Sequence, residues 1–401
     1  MTPGISREDG QLKIRIMKGM ELTVRETLGL VAGLVILFNL PTITTLAGDL
    51  PIRQRPIYRG IVFGLAAVGL NLLLRHSELV SFGHAAFFGT GAYTVAVLVS
   101  DYQVKSATVL LVAAIVAATL MAALIGYFTL PHTGLYFALI TLAFGQLLFS
   151  IVKGQRALGG TDGISVRTGE AGVTILEQFP TLFGIQLTGQ EVPNTILLWF
   201  TLVVVIISML VMYRIVKSPF GRALDAIGQE RTRARFLGLP VKRYVWAAFI
   251  ISGIYGGIGG GLFALYFRSV APGETLQVFV SGDILYMAIL GGFGTLTGPL
   301  IGGIVLETLA NIANEVVFTG PAGETQMGRF ITGAVLLLIV FVFPKGIVGS
   351  LKPGGRVFEG AKTLKNDPTV AGPWFRQFGQ VTVEAAKRSV KNVRYLLFGV
   401  K

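Results

Sequence analysis

The sequence predicts an all-α integral membrane protein of about ten transmembrane helices, with both the N- and C-termini cytoplasmic. Three observations predict it. The 401-residue chain is 52% hydrophobic and 14% charged, with a mean hydropathy of +0.69, whereas a soluble domain is about 25% charged. Apolar runs close to the ~20 residues of a spanning helix recur along the chain. Basic residues concentrate in one loop and one tail, which is how Lys and Arg mark a cytoplasmic face.

Taken in order, residues 1–26 mix five basic with four acidic residues and form an N-terminal cytoplasmic segment. The run 27–46 is too long for a signal core and reads as an uncleaved first span. Further runs follow at 57–74, 79–99, 107–130, 133–152, 195–213, 245–267, 276–292, 296–317 and 330–349, which makes 27–349 the transmembrane domain. The run 276–292 is the weakest, because Gly282, Asp283, Gly291 and Gly292 interrupt it; a re-entrant or discontinuous helix is the alternative there. An even number of spans puts both termini on one side.

The polar loop 214–243 says which side. It carries eight basic residues against two acids, Asp225 and Glu230. The tail 350–401 carries ten basic and three acidic residues. Loop and tail together account for the whole net charge of +13, and the other segments cancel. Such a basic excess could point to nucleic acid, but on this hydrophobic background it marks the inner face of a membrane. Residues 75–78 fall inside, and 153–194 and 318–328 fall outside with few or balanced charges. Arg53 and Arg55 in 47–56, which falls outside, are the misfit. Within the loop, RALDAIGQERTRARFLG reads as a short helix that a second protein can grip.

Glycine is the second compositional signal, at 52 residues. Gly253, Gly257 and Gly261 recur every fourth residue, as do Gly294, Gly298 and Gly302. This spacing puts small residues on one helix face, so that backbones approach closely. For 253–261 the pattern reads as tight packing. For GGFGTLTGPLIGG (291–303), Pro299 and the paired glycines make a continuous helix costly, so a hinge or broken helix lining a pathway stands beside packing.

Several chemistries are missing. No Lys follows a Gly, so no phosphate-cradling loop is present. His76, His84 and His132 are scattered without metal-ligand spacing, and there is no cysteine. Glu307 and Asp283 are the intramembrane acids; a helix–helix hydrogen bond or an interfacial position explains them as well as ion coupling does. Neither a catalytic residue nor a metal site nor a cofactor is expected.

Six segments in order resemble the M-type inner-membrane permeases of ATP-binding cassette importers for branched-chain amino acids. They are SFGHAAFFGTGAY (81–93), LPHTGLYFALITLAFGQ (130–146), LGGTDGI (158–164), SPFGRALDAIGQERTRARFLGLPVKRY (218–244), LGGFGTLTGPLIGG (290–303) and FPKGIVG (343–349). The resemblance covers Tyr58 to Gly349 and makes 27–349 a permease domain. It implies import of branched-chain amino acids through a pathway shared with a homologous H-type permease, driven by two ATPase subunits that bind the ATP. It also implies an extracytoplasmic substrate-binding protein and a multi-pass location in the inner, cytoplasmic membrane, with no nucleic acid partner. A urea or short-amide importer uses closely similar permeases, and a self-contained secondary transporter is the reading from a different class.

The resemblance assigns Pro219–Gly238 as the cytoplasmic helix that seats in an ATPase cleft. Ser218, Pro219 and Gly221 open it, Arg222 and Arg231 supply charge, Ala223, Ala226, Ile227 and Leu237 supply an apolar face, and Gly238 closes it. Gly291, Gly292, Gly294, Gly298 and Pro299 are the pathway or hinge candidates, and Gly159, Gly160, Asp162 and Gly163 form the extracytoplasmic loop. Residues 350–401 are a basic cytoplasmic tail, either an in-plane helix on anionic lipid or a disordered extension.

Overall fold

The structure is a computed structural model. It describes residues 54–166 and 194–314 without a break, together with pieces at 4–8, 11–17, 20–23, 181–182, 185–186, 317–320, 323–326, 333–334, 336–337, 343 and 346–351. The chain is mostly helical: α1 (Gln54–His76), α2 (His84–Ser100), α3 (Ala107–Thr129), α4 (Gly134–Gly154), α5 (Asn194–Lys217), α6 (Pro219–Gln229), α7 (Arg231–Phe236), α8 (Val241–Phe267), α9 (Pro272–Thr275), α10 (Val278–Gly291), α11 (Gly298–Asn314) and α12 (Gly346–Leu351).

The eight expected runs from 57–74 to 296–317 are α1 to α5, α8, α10 and α11. The run 27–46, most of 330–349 and the tail lie outside the described residues. Among the described residues, five helices are long and apolar enough to cross a membrane: α1, α3, α4, α5 and α8. The chain is therefore a multi-pass membrane protein. α10, at 14 residues, rises only about 21 Å, short of a ~30 Å hydrocarbon core.

The all-α expectation is corrected locally. Gly4–Glu8, Gln11–Met17 and Met20–Thr23 form an antiparallel three-stranded meander. Its middle strand alternates Leu12, Ile14 and Ile16 with Lys13 and Arg15, a period of two that a helix cannot use. Short antiparallel pairs also join Thr181–Leu182 to Ile185–Gln186 and Val317–Gly320 to Gly323–Gln326, so Val317, the end of the run 296–317, is in a strand. The polar loop is corrected too. Arg214 and Lys217 sit in the last turn of α5, Lys242 and Arg243 in the first turn of α8, and the single short helix is two, broken at Glu230.

α8 and α1 form the centre, with 83% and 89% of their most apolar stretches buried. α8 packs against α1, α2 and α3, and α1 also packs against α11. The stripe Gly253, Gly257 and Gly261 of α8 meets Ala122, Ala118 and Ala114 of α3 in turn; a Cβ on Gly261 would stand 3.0 Å from that of Ala114, and the other two would clash outright. This is small-residue packing, as the spacing predicts. Gly60 of α1 faces Gly303 of α11 just as closely, at 2.6 Å from a would-be Cβ to the Gly303 carbonyl oxygen. By contrast α3, α4 and α5 expose apolar faces, for example Val112, Val116 and Leu120 on α3 and Val203 and Ile207 on α5. An aqueous surface would not tolerate so much exposed hydrocarbon; lipid or a neighbouring helix does.

Loops gather at two ends. At one end Arg231 Nη2 donates to the Ser77 carbonyl oxygen at 3.1 Å, and Glu78, Thr133, Gly134 and Gly228 to Arg231 line a cleft of about 270 Å³. At the other, Ile164 and Ser165 pair with Val270 and Ser269. Segments 75–78 and 214–243 thus share one end, and the loop after α4 shares the opposite end with the loop after α8.

Candidate functional site

α6 starts sharply for local reasons. The Ser218 hydroxyl caps it, accepting from the Gly221 N–H at 3.3 Å, and Pro219 occupies the first turn, where its missing N–H costs nothing. Gly221 is buried with its Cα turned onto the Val216 carbonyl, a place with no room for a side chain. Leu224 and Ile227 are fully buried, and α6 packs against α1 and α5. Arg222 and Ala226 are exposed, and Ala223 lies between these extremes.

Glu230 breaks the helix by adopting an extended conformation and then caps α7, its carboxylate accepting from the Thr232 N–H at 3.1 Å. Ala234 is buried; Arg233 and Arg235 point outward. Phe236 and Leu237 are 87% and 79% exposed, and Gly238, at φ 81°, ends the segment. The apolar face expected from sequence is therefore divided. Ile227 turns inward, while Leu237 turns outward beside Phe236, a residue that sequence reasoning passes over.

The inner side of α6 and α7 is tied to the end of α1 by contacts that sequence reasoning missed. His76 is buried, and its Nδ1 donates to Oδ1 of Asp225 on α6; an ionised carboxylate only accepts, which fixes the proton on Nδ1. Arg231 reaches the Ser77 carbonyl, and burial lowers its guanidinium pKa, an effect that Glu78 opposes. Gly228 lies so close to the His76 carbonyl that a Cβ would come within 2.6 Å. A signal for His76 was available in principle: a histidine ending an apolar run, four residues after Leu72.

The 291–303 segment is a break. α10 closes at Gly291, Gly292 has φ 107°, and α11 begins at Gly298 with Pro299 in its first turn. Thr295 clamps the turn: its hydroxyl donates to the Gly292 carbonyl at 2.9 Å and accepts from the Gly298 N–H at 3.1 Å. Asn71 of α1, 4% exposed, donates to the Thr295 carbonyl at 2.9 Å. Gly294 is exposed at the tip, with open space beside it. Gly346, from the last of the six segments, packs directly on Gly292.

At the opposite end Gly159, Gly160 and Gly163 all have positive φ, at 79°, 57° and 82°. The Gly163 N–H donates to the Gly159 carbonyl at 3.0 Å, and Asp162 stays exposed. This tight turn delivers Ile164 to its pairing with Val270. Two further features lie in the bundle. His84 Nε2 and the Ser252 hydroxyl are 2.6 Å apart, both buried. A groove of about 350 Å³ is lined by Thr90, Tyr93, Thr94, Met121 and Leu148, and its threonine hydroxyls donate to their own helix. Among the described residues no group of three acids or histidines is placed to hold a metal.

A family profile described as "Branched-chain amino acid transport system / permease component" matches residues 54–340. The high-affinity branched-chain amino acid transport system permease protein LivM of Escherichia coli (strain K12) is 27% identical over 353 residues, covering 84% of this chain and 79% of that protein. LivM of Salmonella typhimurium (strain LT2) is 28% identical over 346 residues, covering 82% and 77%. The same system's LivH from Salmonella typhimurium is 22% identical over 306 residues, covering 72% of this chain and 92% of that protein.

Proposed function

The chain belongs to the family of permease components of branched-chain amino acid transport systems, and we propose that it forms, with a homologous second permease, the membrane pathway of an ATP-binding cassette importer for branched-chain amino acids. It is a transport permease, not an enzyme. The partner proposal rests on the chain's similarity to both LivM and LivH, two permeases named for one kind of system. Two separate ATPase subunits bind the ATP, and an extracytoplasmic binding protein delivers substrate; this chain carries no cofactor.

In this reading the full chain has about ten spans in the inner, cytoplasmic membrane. Residues 1–26, the segment 214–243 and the tail 350–401 are cytoplasmic, and Gly159–Gly163 face outward. The gathering of 75–78 with 214–243, away from 159–166, supports that orientation. The observation that carries the proposal is the two-sided character of α6 and α7. Their inner side is fastened to the bundle, while Arg222, Arg233, Arg235, Phe236 and Leu237 are left outward. That surface offers an ATPase cleft charge-assisted contacts and an aromatic anchor. The break at Gly291–Pro299 is the element that changes when the spans reorient.

Reconstitution tests this. In vesicles the chain alone neither hydrolyses ATP nor accumulates leucine; leucine uptake appears when the second permease, the ATPases, the binding protein and ATP are all present. Uptake by the chain alone, driven by an ion gradient, overturns the proposal in favour of a secondary transporter.

A further inference from the structure

We propose that His76 is a positioning residue that carries movement of the cytoplasmic helix α6 into α1, through its bond to Asp225. The proposal rests on the coupling role given above to α6 and α7, and adds where the force enters the bundle.

Three contacts make one joint. His76 Nδ1 donates to Asp225, Arg231 donates to the Ser77 carbonyl at 3.1 Å, and Gly228 lets the α6 backbone lie against the His76 carbonyl. All three contacts converge on the last residue of α1 and the one after it, and each spans about 150 residues of sequence. His76 is 3% exposed and Asp225 about half exposed, so the bond is shielded from water on the histidine side. A hydrogen bond to a charged group in such a place is stronger and more directional than a solvated one.

What lies beyond the joint gives it a purpose. Among the described residues α1 is the most buried of the long apolar helices, with 89% of its most apolar stretch inside the protein. Asn71, about one and a half turns before His76, bonds to Thr295 at the centre of the 292–297 turn. Gly60 and Gly64 farther along seat α11 by backbone contact, with no side chain between the helices at those two positions. A pull on α6 therefore reaches the α10–α11 break through one rigid helix. α5 leads into α6 too, but only 28% of its most apolar stretch is buried, so among the described residues it has few contacts through which to move the rest.

The test uses the complete importer in vesicles and measures leucine taken up per ATP hydrolysed, beside ATPase assembly. His76→Leu and Asp225→Leu each remove the bond. Both keep ATPase assembly and substrate-stimulated hydrolysis, while uptake per ATP falls about tenfold, the effect of losing ~1.4 kcal/mol of coupling. His76→Asn, whose amide nitrogen stands where Nδ1 stood and still donates, recovers most of the ratio; a merely structural histidine would show no such recovery in the ratio. Native uptake per ATP in both leucine variants overturns the proposal, as does equal loss in His76→Asn. Should His76→Leu fail to fold, Asp225→Leu, at a half-exposed site, reads the same bond. Failure of the docking reading shows differently: the reverse-charge variant Arg222→Glu would then leave ATPase assembly intact.

Discussion

The Nε of Arg59 stands 3.3 Å from Oε1 of Glu307, joining α1 to α11 inside the bundle. The side chains are 32% and 15% exposed, and the guanidinium also lies over the Phe63 ring, 5.1 Å from its centroid. This pairing gives the intramembrane Glu307 a helix–helix role, one of the readings the sequence leaves open. Breaking a buried pair from one side strands a charge. Arg59→Met or Glu307→Gln should each lower stability by about 3 kcal/mol, the low end of the range for buried pairs because Arg59 is partly exposed. The double replacement Arg59→Met with Glu307→Leu should recover much of that loss. Thermal unfolding in detergent checks this; equal stability of the single and double variants would refute a structural pair.

The α8–α3 contact should behave as a zipper. Gly257→Leu drives a side chain into Ala118 and should cost about 1–3 kcal/mol. Gly257→Ala should be partly relieved by Ala118→Gly, because the two residues face each other. Gly273→Ala, in open space, should change little and serves as the control. The measurement is the unfolding midpoint of each variant.

Orientation can be read with single cysteines, since the chain has none of its own. Glu230 and Asp162 are both exposed and belong to opposite ends of the bundle. In intact cells an impermeant thiol reagent should label Asp162→Cys and leave Glu230→Cys unlabelled until the membrane is opened. The reverse pattern would invert the proposed topology.

Arg222 is the outward charge that follows the Ser218 cap. If an ATPase cleft desolvates it, Arg222→Glu should weaken ATPase assembly by about 2–5 kcal/mol, while substrate binding by the external protein stays intact. Lys352→Glu in the basic tail is the control and should matter little. Equally mild effects of the two substitutions on transport would reduce the 214–243 segment to a topology signal.

Much of the site was legible in the sequence where the signal is local. The Ser218–Pro219–Gly221 start of α6 follows from what Ser and Pro do to a backbone, and a break at 291–299 was one of the two readings its Gly and Pro allowed; the positive φ of the glycines at 159–163 came only from the structure. The division of the short helix at Glu230 was not legible, because Glu230 is an ordinary helix former until its side chain has Thr232 N–H to cap. Nor was the inward turn of Ile227, which in sequence is one more apolar residue beside Ala226.

Hydropathy and charge were enough to specify a multi-pass helical membrane protein with several long apolar helices, and glycine spacing the small-residue stripe of α8. Those properties are local, since a backbone in lipid must satisfy its own hydrogen bonds and so becomes a helix wherever the run is apolar. The tertiary structure alone decided which faces of those helices meet. It set His76 on Asp225, Asn71 on Thr295, Arg59 on Glu307 and Gly346 on Gly292. The reason is that lipid and a neighbouring helix ask for the same apolar side chains. The pattern that distinguishes inside from outside in a soluble helix is therefore absent here, and close packing and a few buried polar bonds take its place.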